Sequence, residues 1–121
     1  MNTTKIGGRL ALVTQDPHVR AAVGWLTEQP EVERVIPRSW RLGGGKGKRG
    51  IKIESVTDAR IGAVAYQENG RQELIVSTTG ADAAITLAIR TAQHFGFPLP
   101  TEAKLPKPVR PVVATPAALA V

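Results

Sequence analysis

Residues 51–78 read I-K-I-E-S-V-T-D-A-R-I-G-A-V-A-Y-Q-E-N-G-R-Q-E-L-I-V-S-T, and three successive strands are legible in them. Ile51, Ile53 and Ser55 alternate with Lys52, Glu54 and Val56, the pattern of a half-buried strand with one wet face. Thr57-Asp58 makes a tight connection to a second strand over residues 60–67. Asn69-Gly70 then supplies the pair favoured in a type I′ hairpin turn. The return strand, residues 71–78, has an uninterrupted apolar centre at Leu74, Ile75 and Val76, which predicts a place near the middle of the sheet.

Working outward, residues 9–14 (R-L-A-L-V-T) read as a short strand that runs into a helix start. Asp16 can accept from the free N–H groups of the first turn, and Pro17 suits the first helical position because its missing donor would be unpaired there. Val19, Ala22, Val23 and Leu26 form one apolar stripe, and Pro30 ends the helix. Residues 32–36 read as a strand stopped by Pro37. Beyond the hairpin, Thr79 with Asp82 three residues on resembles a capping box and opens a second helix. Ile85, Ala88, Ile89, Ala92 and Phe95 supply its predicted buried stripe, and Gly96 the stop before Pro98. The expectation is a two-layer α+β fold: a mostly antiparallel sheet of about five strands with two helices on one face, in the order β-α-β-β-β-β-α.

The chain has 121 residues, enough for one domain. We read that domain as residues 1–96. Residues 97–121 hold six of the nine prolines and read as a disordered, proline-rich tail. Its Pro108-Val109-Arg110-Pro111 run matches P-x-x-P, a short pattern common by chance. There is no cysteine, which removes disulfide and thiolate chemistry. The first ten residues lack the apolar core of a signal peptide, and no apolar run approaches the ~20 residues that cross a bilayer. A cytoplasmic protein with no membrane partner is the expectation.

Charge is concentrated in one place. Residues 38–52 hold six basic side chains, five glycines, one tryptophan and no acid, so this stretch equals the whole formal excess of +6. A Gly-rich basic loop over residues 38–50 follows from this composition. Gly45-x-Gly47-x-x-Gly50 has dinucleotide-fingerprint spacing, but a strand rather than a helix follows it. The Walker A pattern fails too, because Arg49 stands where Ser or Thr is needed. Polymeric phosphate suits these residues better. Arg38, Arg41, Lys46, Lys48, Arg49 and Lys52 can meet phosphate oxygens, and Trp40 offers a face for an unpaired base. Without a recognition helix, RNA or single-stranded DNA is a better partner than duplex. The alternative is a plain solvated loop with Trp40 packed on the core.

For metals, two histidines stand out. His18 follows Asp16 in the first turn of helix one, and His94 lies in the last turn of helix two, where a cation suits the dipole. No cysteine completes a structural zinc site, no hydrolytic motif surrounds any serine, and no cofactor is expected. Several short pieces are similar to a small prokaryotic family labelled "predicted metal-binding protein". They are Arg9-Leu10 with His18, Val35-Ile36-Pro37 before the Arg/Gly-rich loop, residues 49–53, and residues 70–78, so the resemblance covers about residues 9–90. It implies binding of a divalent metal such as zinc through His18 and Asp16. The family has a second histidine just upstream, whereas Val13-Thr14-Gln15-Asp16 contains none.

These readings converge on a non-enzymatic RNA or single-stranded DNA binder. The alternatives are a small metal-binding protein and a structural protein of a larger assembly, such as a ribonucleoprotein particle.

Overall fold

The computed structural model describes residues 2–7, 15–43, 49–67 and 70–100. After a 3-10 turn at Thr3–Lys5 come helix α1 (Pro17–Thr27), strands β1 (Val32–Leu42), β2 (Gly50–Thr57), β3 (Arg60–Gln67) and β4 (Gly70–Thr78), and helix α2 (Ala81–Phe95). The four strands form one antiparallel sheet in the order β1-β4-β3-β2. The apolar run at residues 74–76 does lie on a central strand. Against the expected five or so strands, four are present among the described residues. The additional one falls on residues 9–14, outside them, while Ile6 makes a parallel bridge to Val35 on the outer side of β1.

Helix α1 forms as its sequence dictates. Asp16 Oδ1 accepts from the backbone N–H of His18 at 2.8 Å and of Val19 at 3.0 Å. Val19, Ala22, Val23 and Leu26 are buried. Helix α2 departs from expectation at its start and, on its face, at Ile89; Ile85, Ala88, Ala92 and Phe95 of the expected stripe are buried or pack against the core. Gly80, not Thr79, is the N-cap; the Thr79 N–H instead donates to the Glu31 carbonyl at 3.1 Å. The buried stripe is Ala84, Leu87, Ala88, Thr91 and Ala92, with Ile89 41 % exposed. Leu87 is the large side chain at the centre of this face and alanines flank it, while Thr91 satisfies its hydroxyl by donating to the Leu87 carbonyl. Gly96 closes the helix in the left-handed conformation at φ 77°.

Both helices pack on one face of the sheet, sharing a single core with Val35, Ile51, Ile53, Val56, Ile61, Leu74 and Val76. Three irregularities in strand register decide which residues reach it; the first, between Val32 and Arg34 in β1, lets both Val32 and Val35 be buried. In β2 a register shift between Ile53 and Ser55 buries Val56, where strict alternation would bury Ser55. Gly62 accommodates the result: a Cβ there would stand 2.5 Å from Ser55 Oγ. In β1 the strand continues through Pro37 to Leu42, with a shift between Pro37 and Trp40. The first third of the expected basic loop is therefore strand.

The hairpin between β3 and β4 is displaced by one residue from the expected Asn69-Gly70 turn. Gln67 pairs with Gly70, so Gly70 belongs to β4. Its lack of a side chain is needed for packing: a Cβ would lie 2.6 Å from Trp40 Cζ2 and 3.0 Å from the Arg41 carbonyl oxygen. Beyond α2, Phe97 stacks on Tyr66 and Leu99 packs against the core, so the chain stays on the domain past residue 96. The tail from residue 101 lies outside the described residues.

Gln72 is fully buried on β4, facing the core beside Trp40 and Ala65, and neither amide atom has a hydrogen-bond partner among the described residues. An unpaired buried amide costs about 1–3 kcal/mol. Gln72→Met should therefore raise the melting temperature, at about 4–8 °C per kcal/mol in a domain of this size. Leu74→Ala, which empties a site 1 % exposed in the central strand, should lower stability by about 2–5 kcal/mol. Differential scanning calorimetry of both variants checks the pair.

Candidate functional site

The face of the sheet away from the helices is set by the cross-strand register. One row runs Arg41–Arg71–Tyr66, a second places Glu73, Val64 and Lys52 side by side, a third runs Ile36–Ile75–Gly62–Ser55, and a fourth Arg34–Ser77–Arg60–Thr57. Arg38 lines a shallow hollow of about 170 Å³ with Glu54, Ser55, Gly62, Glu73 and Ile75 on this same face. Six basic side chains, Arg34, Arg38, Arg41, Lys52, Arg60 and Arg71, thus share the face with two carboxylates, Glu54 and Glu73. Neither helix covers it.

The register shift in β1 produces this arrangement. Pro37 pairs with Leu74 but Trp40 with Gln72, three residues against two. Had the alternation continued, Ser39 would face the core and Trp40 the open side. The slip instead turns the half-buried Trp40 against the core and leaves Arg38 and Arg41 exposed on the other face. Trp40 takes the packed alternative, its ring edge lying against Gly70. Lys52 is half-buried on the open face, and Arg71 reaches from it to donate to the Gly43 carbonyl at 3.3 Å. Lys46 and Lys48 lie outside the described residues. Arg71, Arg34, Arg60 and Tyr66 were missed by sequence reasoning. Their signal is the alternation Arg71, Glu73, Ile75, Ser77 in β4, hidden by the apolar run that crosses it.

Arg49 goes elsewhere. With Gly50 it borders a cavity of about 330 Å³ whose other lining residues are His18, Ala21, Ala22, Trp25, His94 and Phe95. The two histidines, far apart in sequence, meet in this hollow. Trp25 stacks on His94 with ring centroids 4.5 Å apart and planes 13° from parallel, and Phe95 packs edge-on against both rings. The Asp16 carboxylate, meanwhile, caps its own helix. Among the described residues no group of three or more His, Cys, Asp or Glu side chains converges. Among the described residues, no helix is long and apolar enough to cross a membrane. No family model, curated protein or solved structure matches this chain.

Gly50 shapes the cavity wall. Its φ is 130°, and a Cβ would stand 2.6 Å from Phe95 Cδ1. Gly50→Ala should therefore destabilise the fold by about 1–3 kcal/mol from backbone strain alone and displace Phe95. Urea unfolding, together with the Trp25 and His94 proton shifts, reads both effects.

Proposed function

We propose that the open sheet face binds single-stranded nucleic acid, RNA or single-stranded DNA, without catalysis. The observation that carries this reading is the sharing of one face, covered by neither helix, by Arg34, Arg38, Arg41, Lys52, Arg60 and Arg71 against Glu54 and Glu73. A surplus of arginine on a continuous surface attracts a phosphate chain and steers its approach, and guanidinium forks meet phosphate oxygens two at a time. Ile36 and Ile75, both half-buried, lie between the charges and give unpaired bases an apolar floor. Tyr66, one face of which stacks on Phe97, adds a ring at the end where Arg41 and Arg71 pair, and stacking on such rings tolerates any base. A sheet surface does not enter the major groove as a protruding helix does, which favours single strands. Lys46 and Lys48 extend the same charge in the adjoining segment.

Fluorescence anisotropy with labelled single-stranded RNA, single-stranded DNA and duplex, each at several salt concentrations, tests the reading. Single strands should bind with a log–log salt slope of roughly −3 to −4 if four to six phosphates are met. Arg41→Gln with Arg71→Gln should weaken binding and make the slope shallower by about 1.4, or ~0.7 for each phosphate no longer neutralised. Arg20→Gln, on the exposed side of α1, should change neither. Absence of single-strand binding at low salt overturns the reading.

A further inference from the structure

We infer that the hollow bordered by α1, the end of α2 and the start of β2 is a second binding site, for a small flat organic anion: one aromatic ring bearing a carboxylate or phosphate. The inference is independent of the open sheet face.

The hollow is built by spacing along α1. His18, Ala21, Ala22 and Trp25 stand at i, i+3, i+4 and i+7, one face of the helix. Two alanines between an imidazole and an indole leave space where larger side chains would fill it. Phe95 closes the far wall, lying against Gly50, the residue that admits it only by lacking a Cβ. The stacked pair Trp25–His94, with Phe95 edge-on to both, fixes the aromatic side of the hollow. The resulting volume of about 330 Å³ falls at the small end of the roughly 300–1,000 Å³ range of ligand sites.

Chemistry selects the ligand. Apart from alanine and glycine the lining has two kinds of group: aromatic rings, from Trp25 and Phe95, and nitrogen-bearing side chains, from His18, His94 and Arg49. The nearby Asp16 carboxylate is turned to the backbone of its helix. Ring walls suit a flat apolar body. A guanidinium and two imidazoles at the rim suit an oxyanion attached to it, because the guanidinium can donate two parallel hydrogen bonds to one carboxylate or phosphate. A free aromatic acid and an unpaired nucleotide share this chemistry.

NMR titration of the full chain discriminates. The observed signals are the indole N–H of Trp25 and the imidazole C–H protons of His18 and His94. The probes are benzoate and uridine 5′-monophosphate, with benzyl alcohol and inorganic phosphate as controls. The expected result is a saturable shift of all three side chains with at least one of the two anionic ring probes. It should be absent or far weaker with the controls, which lack either the charge or the ring. A stronger response to uridine 5′-monophosphate assigns the hollow to a nucleotide, and a stronger response to benzoate to a free aromatic acid. Arg49→Gln should weaken binding at least about tenfold. Ala21→Leu, at an exposed position of α1, should fill the hollow and abolish binding while the thermal melt stays intact. No saturable shift with either anionic probe overturns the inference. So does binding as tight for benzyl alcohol, or binding that survives both substitutions.

Discussion

The slip of register in β1 between Pro37 and Trp40 governs both surfaces of this sheet. Side chains alternate strictly along a strand, so one additional residue exchanges the faces of everything beyond it. Before the slip, Val35 and Pro37 point toward the helices; after it, Trp40 does. The slip places the strand's largest ring over the core and over Gly70, where only a glycine leaves room. It also delivers Arg41 to the open side, where Arg38 already lies. Packing and charge segregation here are one geometric event, and the β2 slip that buries Val56 repeats the device on the opposite edge.

Much of the architecture was legible because it depends on local chemistry. The Asp16 cap, the α1 stripe, the central position of residues 74–76 and the stop at Gly96 each follow from a few neighbouring residues, and each is present. What eluded sequence reasoning depends on partners distant in the chain. A bulge leaves no local mark, so Pro37 read as a strand end and Trp40 as part of a loop. The α2 face was legible at Ile85, Ala88, Ala92 and Phe95 but not throughout: Ala84, Leu87 and Thr91 are buried on it while Ile89 stays exposed. The open face was half legible. Arg38, Arg41 and Lys52 stood out as part of a charge run, while Arg71 joins them only through cross-strand pairing with Arg41.

The same distinction explains the hollow near the helix ends. His18 and His94 stood out singly, and His18 was weighed with Asp16 as a metal ligand. Asp16 is occupied at the helix terminus, and it is Arg49, from the basic run, that joins the histidines. The change of company alters the chemistry: a carboxylate beside an imidazole suits a cation, whereas a guanidinium with two imidazoles suits an oxyanion.

Gly96 gives the route between these two surfaces. Its left-handed backbone ends α2 and reverses the chain, so that Phe95 on one side of it packs with Trp25 and His94 while Phe97 on the other stacks on Tyr66. Two rings separated by one residue thus sit astride the rim of the sheet, one on each side of its plane. Covalent connection there is shorter than any path through the core. A single glycine therefore stands between the ring that walls the hollow and the ring that stacks on the open face.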